Sequence, residues 1–210
     1  MASSAPPHTV FLLSPANLGG ERAAMVMNPR ATFALAQQLH SPGGAALGDL
    51  FAFVSGLYFR GKKVYSETFG RPPLGMVSAL VITPGEGLRP LDEPVTPARL
   101  ETWKSVEVDV RDRRFIEPLL QDAESLERAY GAETRFVLLG SVATNKYVQP
   151  LTRVFGDHLL FPIEFVGRGD MSRGAIMLRA ARDNRELTYA AVEGARLSTR
   201  IFTRGTTVRH

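Results

Sequence analysis

Residues 167–173 bring two arginines, an aspartate and a serine together after an apolar run. They are Arg168, Asp170, Ser172 and Arg173. The arginine fork suits bidentate binding of a phosphate or carboxylate, and stacking on a nucleobase. Asp170 fits a general base or an acceptor for a base or ribose. The alternative interpretation is a plain turn, with Asp170 as a helix N-cap beside a surface ion pair.

The loop that begins at Gly140 also contains polar side chains at the start of a predicted helix. Ser141, Thr144 and Lys146 could hold an anion there, together with free N–H groups of the first helical turn. The spacing matches neither a P-loop nor a dinucleotide-binding glycine motif. The alternative is that Thr144 only caps the helix and Lys146 points to solvent.

Ser14 and Asn17 follow the first apolar run, and Glu86 follows the second. Glu86 and Asp170 are the candidates for proton transfer. The chain has no cysteine, which excludes a thiolate nucleophile, and its four histidines do not have metal-ligand spacing. No Gly-x-Ser-x-Gly motif is present. No metal site and no cofactor are predicted.

Apolar runs alternate with helical patterns along the chain, which predicts an α/β fold. The predicted strands cover 9–13, 76–83, 136–139 and 159–166, with an edge strand over 106–110 and a last strand over 186–192. Apolar residues on both faces are typical of a mostly parallel sheet covered by helices, so we expect one Rossmann-like, three-layer α/β domain. Ligands bind such sheets at the carboxyl ends of the strands. This rule identifies the four loops after the main strands as candidates for a binding site.

The helical patterns begin near 21 and near 144, and further ones cover 28–40, 47–68, 97–104, 115–130 and 173–182. In the pattern over 47–68, Gly56 and Gly61 indicate either the close approach of another element or a break near Gly61. Residues 58–63 mix aromatic and basic side chains, including Tyr58, Lys62 and Lys63. That mixture favours either a nucleic-acid surface or a core aromatic pair beside a solvated basic face.

The length of 210 residues fits one domain, predicted over 9–194, with a disordered N-terminus over 1–8 and a basic tail over 195–210. Four of the 25 basic residues lie in that tail, which has no acid, so the other 21 balance the 21 acidic residues. A neutral body excludes a uniformly basic nucleic-acid-binding domain. No run resembles a membrane helix or a signal peptide, so we expect a cytoplasmic protein without a membrane partner.

The helix motif Leu57-Tyr58-Phe59-Arg60, followed by Tyr65, and the later block 81–90 resemble a group of small bacterial proteins. That group is distantly similar to the YaaA-type peroxide-stress proteins, in which a strand, such a helix and a strand before a Gly-Leu-x-x-Pro loop occur in the same order. The resemblance covers residues 9–170 and implies an α/β fold with a link to nucleobases or DNA. It assigns no catalytic residue. The serine of the family's helix motif is replaced in this chain, and Gly56 and Arg60 lie near its position. The lysine-rich features of the family are also reduced.

Two functional hypotheses follow from these patterns. In the first, the strand-end loops bind or process a nucleotide, nucleoside or nucleobase, so the partner is a phosphorylated or nucleobase-containing small molecule. Arg168 and Arg173 would hold its anionic part with help from Ser141 and Thr144, while Asp170 or Glu86 would transfer protons. In the second, the protein is a non-catalytic module that binds nucleic acid or protein through the basic tail. Neither pattern assigns a reaction.

Overall fold

Eight strands form two sheets in the computed structural model, which describes residues 7–143 and 145–192. The strands are β1 (His8–Leu13), β2 (Ala45–Ala46), β3 (Ala79–Thr83), β4 (Gly87–Pro90), β5 (Pro94–Val95), β6 (Thr134–Leu139), β7 (Leu159–Pro162) and β8 (Tyr189–Ala191). The main sheet has the order β4-β3-β1-β6-β7-β8, and β2 pairs with β5. The four inner strands are parallel and the two edge strands are antiparallel to their neighbours. The prediction of a mostly parallel sheet is confirmed.

Eight α-helices accompany these strands within the described residues. They are α1 (Glu21–Met27), α2 (Ala34–Leu39), α3 (Leu47–Ser55), α4 (Leu57–Phe69), α5 (Pro97–Lys104), α6 (Arg113–Tyr130), α7 (Asn145–Phe155) and α8 (Asp170–Arg182). Short 3-10 turns at Gly156–His158 and Ile163–Phe165 flank β7. None of the helices in the described ranges is long and apolar enough to cross a lipid bilayer.

Alternate residues of β1 belong to two separate apolar cores. Phe11 and Leu13 pack in a core shared with α4 and α8. Val10 and Leu12 pack in a second core shared with α6 and α7. Because both faces of β1 are covered, neither face is polar. Each large apolar side chain stabilises the fold by roughly 1.5–3 kcal/mol when it is fully buried. The central strands are therefore fixed from both sides, which gives the loops at their ends a rigid base.

The long periodic segment 47–68 is two helices rather than the single helix that the pattern predicts. The break is at Gly56, whose φ of 61° lies in the left-handed region. A Cβ at this position would also lie 2.5 Å from Arg22 Nη1. Glycine therefore allows α4 to start in a new direction after α3.

Helices α4 and α8 cross at two glycines. A Cβ on Gly61 would lie 2.8 Å from the carbonyl oxygen of Gly174, and a Cβ on Gly174 would lie 2.6 Å from that of Leu57. The predicted close approach at Gly61 is therefore confirmed. It brings the first two turns of α4 against the first turns of α8, which sets the positions of the functional side chains described below.

Two predicted elements are wrong. The helix expected from residue 28 begins only at Ala34, because Asn28 ends α1 and its Oδ1 accepts a hydrogen bond from the Arg30 N–H. The strand expected over 106–110 is a series of turns, in which the carboxylates of Asp109 and Asp112 accept backbone hydrogen bonds. In both places a short polar side chain bonds to nearby backbone and competes with regular structure.

Candidate functional site at the carboxyl edge of the sheet

The order of the inner strands reverses between β1 and β6. From β1 the chain continues to β3 on one side, and it later returns to β6 on the other side. Leu13 at the end of β1 is in register with Leu139 at the end of β6. The residues that follow, Ser14 and Gly140, therefore lie at the point where open α/β sheets bind their ligands.

A buried lysine lies at this position. Lys62 of α4 is 1% exposed, and its Nζ lies 2.9 Å from the carbonyl oxygen of Ser14 and 2.7 Å from Ser14 Oγ. The same Nζ is 3.9 Å from the centre of the Tyr58 ring and 5.4 Å from that of Phe59. Lysine is almost never fully buried unless a charged group pairs with it. Here both hydrogen-bonding partners are neutral oxygens.

Burial lowers the pKa of Lys62 from its usual 10.5 to about 7, because the ammonium loses its hydration. The negative charge of Asp170 opposes this change, and the positive charge of Arg173 adds to it. Near neutral pH the side chain therefore exists in both protonation states. A lysine with such a pKa is able to accept a proton or to respond to the charge of a ligand.

Tyr58, one helical turn before Lys62, has a buried hydroxyl that makes no hydrogen bond of normal geometry among the described residues. The Arg173 guanidinium lies close enough to act on it as a weak donor. Burial raises the pKa of Tyr58, and the nearby guanidinium of Arg173 partly opposes this effect. The Tyr147 hydroxyl lies close enough for the two tyrosines to interact electrostatically, and burial raises the pKa of Tyr147 as well. An unsatisfied buried hydroxyl costs about 1–3 kcal/mol, so it favours a partner from outside the chain, such as water or a ligand.

Arg173 lies on the first turns of α8 and is mostly buried, with a side chain 13% exposed. Its Nε donates to the carbonyl oxygen of Phe165 at 3.2 Å, and its Nη1 lies 3.6 Å from the carboxylate of Asp170. Asp170 itself is 68% exposed. Asp170 is the first residue of α8, and the N-cap position belongs to Gly169, so the N-cap interpretation of Asp170 is wrong.

Other predicted site residues make local contacts. Ser141 Oγ accepts from the Ala143 N–H at 3.3 Å, and Asn17 Oδ1 accepts from the Gly19 N–H at 2.9 Å. Arg168 Nη1 lies 3.3 Å from Ser172 Oγ on the exposed side of the loop. These bonds shape their own turns.

Two more predicted residues flank the end of β6. Lys146 lies at the start of α7, with its Nζ 5.8 Å from the centre of the Tyr147 ring. Thr144 lies outside the described residues, so its predicted role stays a prediction.

Glu86 lies on the turn between β3 and β4, within an ion-pair network. Its carboxylate accepts hydrogen bonds from the Nε and Nη2 of Arg99. This contact lowers the pKa of Glu86, which keeps the carboxylate ionised and makes it a weaker proton acceptor. Arg99 also bonds to Glu93, so the network holds the β3–β4 turn against α5. We therefore favour a structural role for Glu86.

The sequence patterns do not identify Lys62 as a site residue. Both interpretations of residues 58–63 place this lysine on a surface, and its burial shows that they are wrong for this residue. The signal that could have found it is its register on α4. Tyr58, Lys62, Tyr65 and Phe69 recur every three or four residues on one face, and all four are buried.

A separate depression of about 430 Å³ lies at the opposite edge of the sheet. It is lined by residues around Gly70, Val77 and Pro90. In the described part of the chain, no group of three or more histidine, aspartate or glutamate residues could hold a metal ion.

Comparisons with protein-family models, with curated proteins and with solved structures found no match to this chain. The resemblance to the YaaA-type proteins stays a prediction.

Proposed function

We propose that the carboxyl edge of the sheet binds a nucleotide, nucleoside or nucleobase ligand for processing, beside Lys62. The observation that carries this proposal is the fully buried Lys62, held at the strand-order reversal by two neutral oxygens of Ser14. Burying an amine in this way lowers the stability of the fold. Strongly shifted pKa values of this kind concentrate at functional sites.

The charge around Lys62 favours a ligand with an anionic part. Lys62 and Arg173 are two cations that interact electrostatically, and Asp170 is a carboxylate whose charge acts on Lys62. A phosphate beside Arg173 would gain charge-assisted hydrogen bonds from its guanidinium. Arg168, exposed on the loop before α8, would meet the same ligand from the solvent side.

The nucleoside part of the proposal is supported by the fold and by the aromatic residues. We infer a three-layer arrangement from the two apolar cores on alternate residues of β1. Sheets of that kind bind nucleotides where the strand order reverses. Tyr58 offers an unsatisfied hydroxyl for a ribose or base atom, and Ser141 lies on the loop after β6. The resemblance to the YaaA-type proteins implies the same ligand class.

The alternative function, binding of nucleic acid or protein through the basic tail, concerns residues 195–210. These lie outside the described residues, and no contact in the described part of the chain favours it.

A thermal-shift panel tests the proposal. Wild-type protein is heated with adenosine and uridine 5′-monophosphates, the two nucleosides, the two bases and inorganic phosphate. A ligand at 100 times its Kd stabilises by about 2.7 kcal/mol, which is roughly 5–10 °C for a domain of this size. We expect such a shift with at least one nucleotide or nucleoside, and its loss in Arg173→Ala. Arg182→Ala, at the exposed far end of α8, is the matched control and keeps the shift.

Two results would contradict the proposal. One is the absence of any shift across the panel, and the other is a shift of equal size in wild type and Arg173→Ala.

A further inference from the structure

We propose that Ser14 and Lys62 form a catalytic dyad, in which Ser14 Oγ attacks an ester or amide carbonyl carried by the bound ligand and Lys62 Nζ accepts its proton. This inference deepens the proposed function, because it assigns a reaction class to the same site. It uses a serine that the sequence identifies only as a binding residue and a lysine that the sequence patterns place at the surface.

The hydrogen bonds of Lys62 give the geometry that a dyad requires. When Lys62 is neutral, one N–H still donates to the Ser14 carbonyl oxygen at 2.9 Å. That bond fixes the amine, so its lone pair is free to accept the Ser14 hydroxyl proton across 2.7 Å. A serine is a weak nucleophile until a base within this distance removes its proton.

The surroundings of Lys62 keep it available as a base. The groups in contact with its Nζ are the rings of Tyr58 and Phe59 and the two oxygens of Ser14. Two charged groups of α8 also act on it: Asp170 favours the ammonium and Arg173 opposes it. Burial lowers the pKa of Lys62 to about 7, so much of it is neutral at physiological pH. A general base is most efficient when its pKa lies near the working pH.

Gly140 leaves room beside the nucleophile. A Cβ at this position would lie 3.2 Å from Ser14 Oγ and 3.0 Å from Ser14 Cβ, so any larger residue would crowd the serine. Ser14 keeps 7% exposure at the edge of the sheet. Arg173, whose charge acts on Lys62, supplies positive charge for the oxyanion that forms on the attacked carbonyl.

The reaction balances with water as the only co-reactant. Ser14 Oγ bonds to the carbonyl carbon while its proton moves to Lys62 Nζ. The bond from that carbon to the leaving alcohol or amine then breaks, and Lys62 returns the proton to the leaving group. Water attacks the resulting ester on Ser14 and gives a proton to Lys62. The ester bond breaks, a carboxylic acid leaves, and Lys62 returns the proton to Ser14.

Labelling with a fluorophosphonate tests the dyad, because this reagent bonds covalently to activated serines and releases fluoride. Intact mass and peptide mapping follow the rate on wild type, Ser14→Ala, Lys62→Met and the control Lys63→Met. Lys63 is the adjacent lysine, ion-paired with Asp49 at the surface. We expect labelling at Ser14 in wild type and Lys63→Met, and a loss of at least about a hundredfold in Lys62→Met, as for removal of a general base.

The pH profile on unmodified protein gives a second, independent measurement. The labelling rate should rise through a midpoint near pH 7 as Lys62 loses its proton. This measurement decides the question even if Lys62→Met does not fold. Labelling elsewhere but not at Ser14, or a Ser14 rate that is flat between pH 6 and 8, would overturn the dyad. If Ser14 is not labelled while nucleotides still stabilise the protein through Arg173, the dyad fails and the binding function stands.

Discussion

Replacing Lys62 by methionine should stabilise the protein near neutral pH. The substitution keeps an unbranched side chain of similar length and removes the amine that burial desolvates. The free energy of unfolding of wild type is lowered most below pH 7, where Lys62 is protonated in both the folded and unfolded states. As pH rises from the folded pKa of about 7 towards the unfolded value of 10.5, the unfolded state binds more protons, so wild type gains stability.

The size of the effect follows from the lowered pKa. One pKa unit corresponds to about 1.36 kcal/mol, so between pH 7 and pH 9 wild type should gain roughly 2 kcal/mol relative to Lys62→Met. Methionine loses the bond to the Ser14 carbonyl oxygen, which costs about 1–3 kcal/mol if that oxygen stays dry. At pH 7 the whole lowering of the Lys62 pKa from 10.5 to about 7 costs wild type about 4 kcal/mol. After the lost bond is subtracted, the advantage of Lys62→Met at pH 7 is about 1–3 kcal/mol, and it should shrink as the pH rises.

Urea denaturation at several pH values between 6 and 9 measures this difference. Lys63→Met is the matched control, because Lys63 is partly exposed and forms a surface ion pair with Asp49. Its stability relative to wild type should change little with pH. A difference between wild type and Lys62→Met that is independent of pH would refute the argument that Lys62 is desolvated.

Three further predictions concern neighbouring parts of the site. Gly61→Ala should destabilise by about 1–3 kcal/mol, because its Cβ would meet the Gly174 carbonyl oxygen at 2.8 Å, whereas Gly169→Ala, in open space, should lower the melting temperature little. Tyr58→Phe removes a buried hydroxyl without a normal hydrogen bond, so it should raise the free energy of unfolding by about 1 kcal/mol. It should also weaken nucleotide binding measured by calorimetry. A loss of stability would show that the hydroxyl is satisfied. Glu86→Gln weakens the partly exposed ion pair with Arg99, so urea denaturation should show that the free energy of unfolding falls by at most about 1 kcal/mol. Fluorophosphonate labelling of Ser14 should be unchanged. A loss of that labelling would assign Glu86 to the catalytic site.

The parts of the fold that the sequence predicts well are those with an unambiguous pattern. The apolar runs of β1 and β6 are buried on both faces, and α6 ends at Tyr130, the last residue of the helical pattern predicted over 115–130. The break at Gly56 was not predictable from periodicity, because the apolar spacing continues across it from α3 into α4. The backbone conformation that a glycine adopts depends on tertiary packing, and a local sequence pattern does not contain that information.

The sequence predicts the position of the candidate site better than it predicts the residues that form it. The rule for parallel sheets identifies Ser14 and the loop after β6. The sequence does not identify Lys62, because the charge of a lysine predicts a surface position. Its register on α4 instead places it on the buried face. Its partner Ser14 lies 48 positions away in the chain, and only the packing of α4 against β1 brings the two together. The bonds of Glu86 to Arg99 likewise depend on the position of α5 beside the β3–β4 turn.

The central claim, that the carboxyl edge beside Lys62 is the ligand-binding site, is tested most directly by mapping amide chemical shifts. Isotope-labelled protein is titrated with adenosine and uridine 5′-monophosphates at millimolar concentration. The largest changes should fall on the amides of Ser14, Gly140 and Ser141 and on the first turns of α8, including Arg173. Changes confined to the depression around Val77 and Pro90 or to residues 195–210, or no changes at all, would contradict the claim.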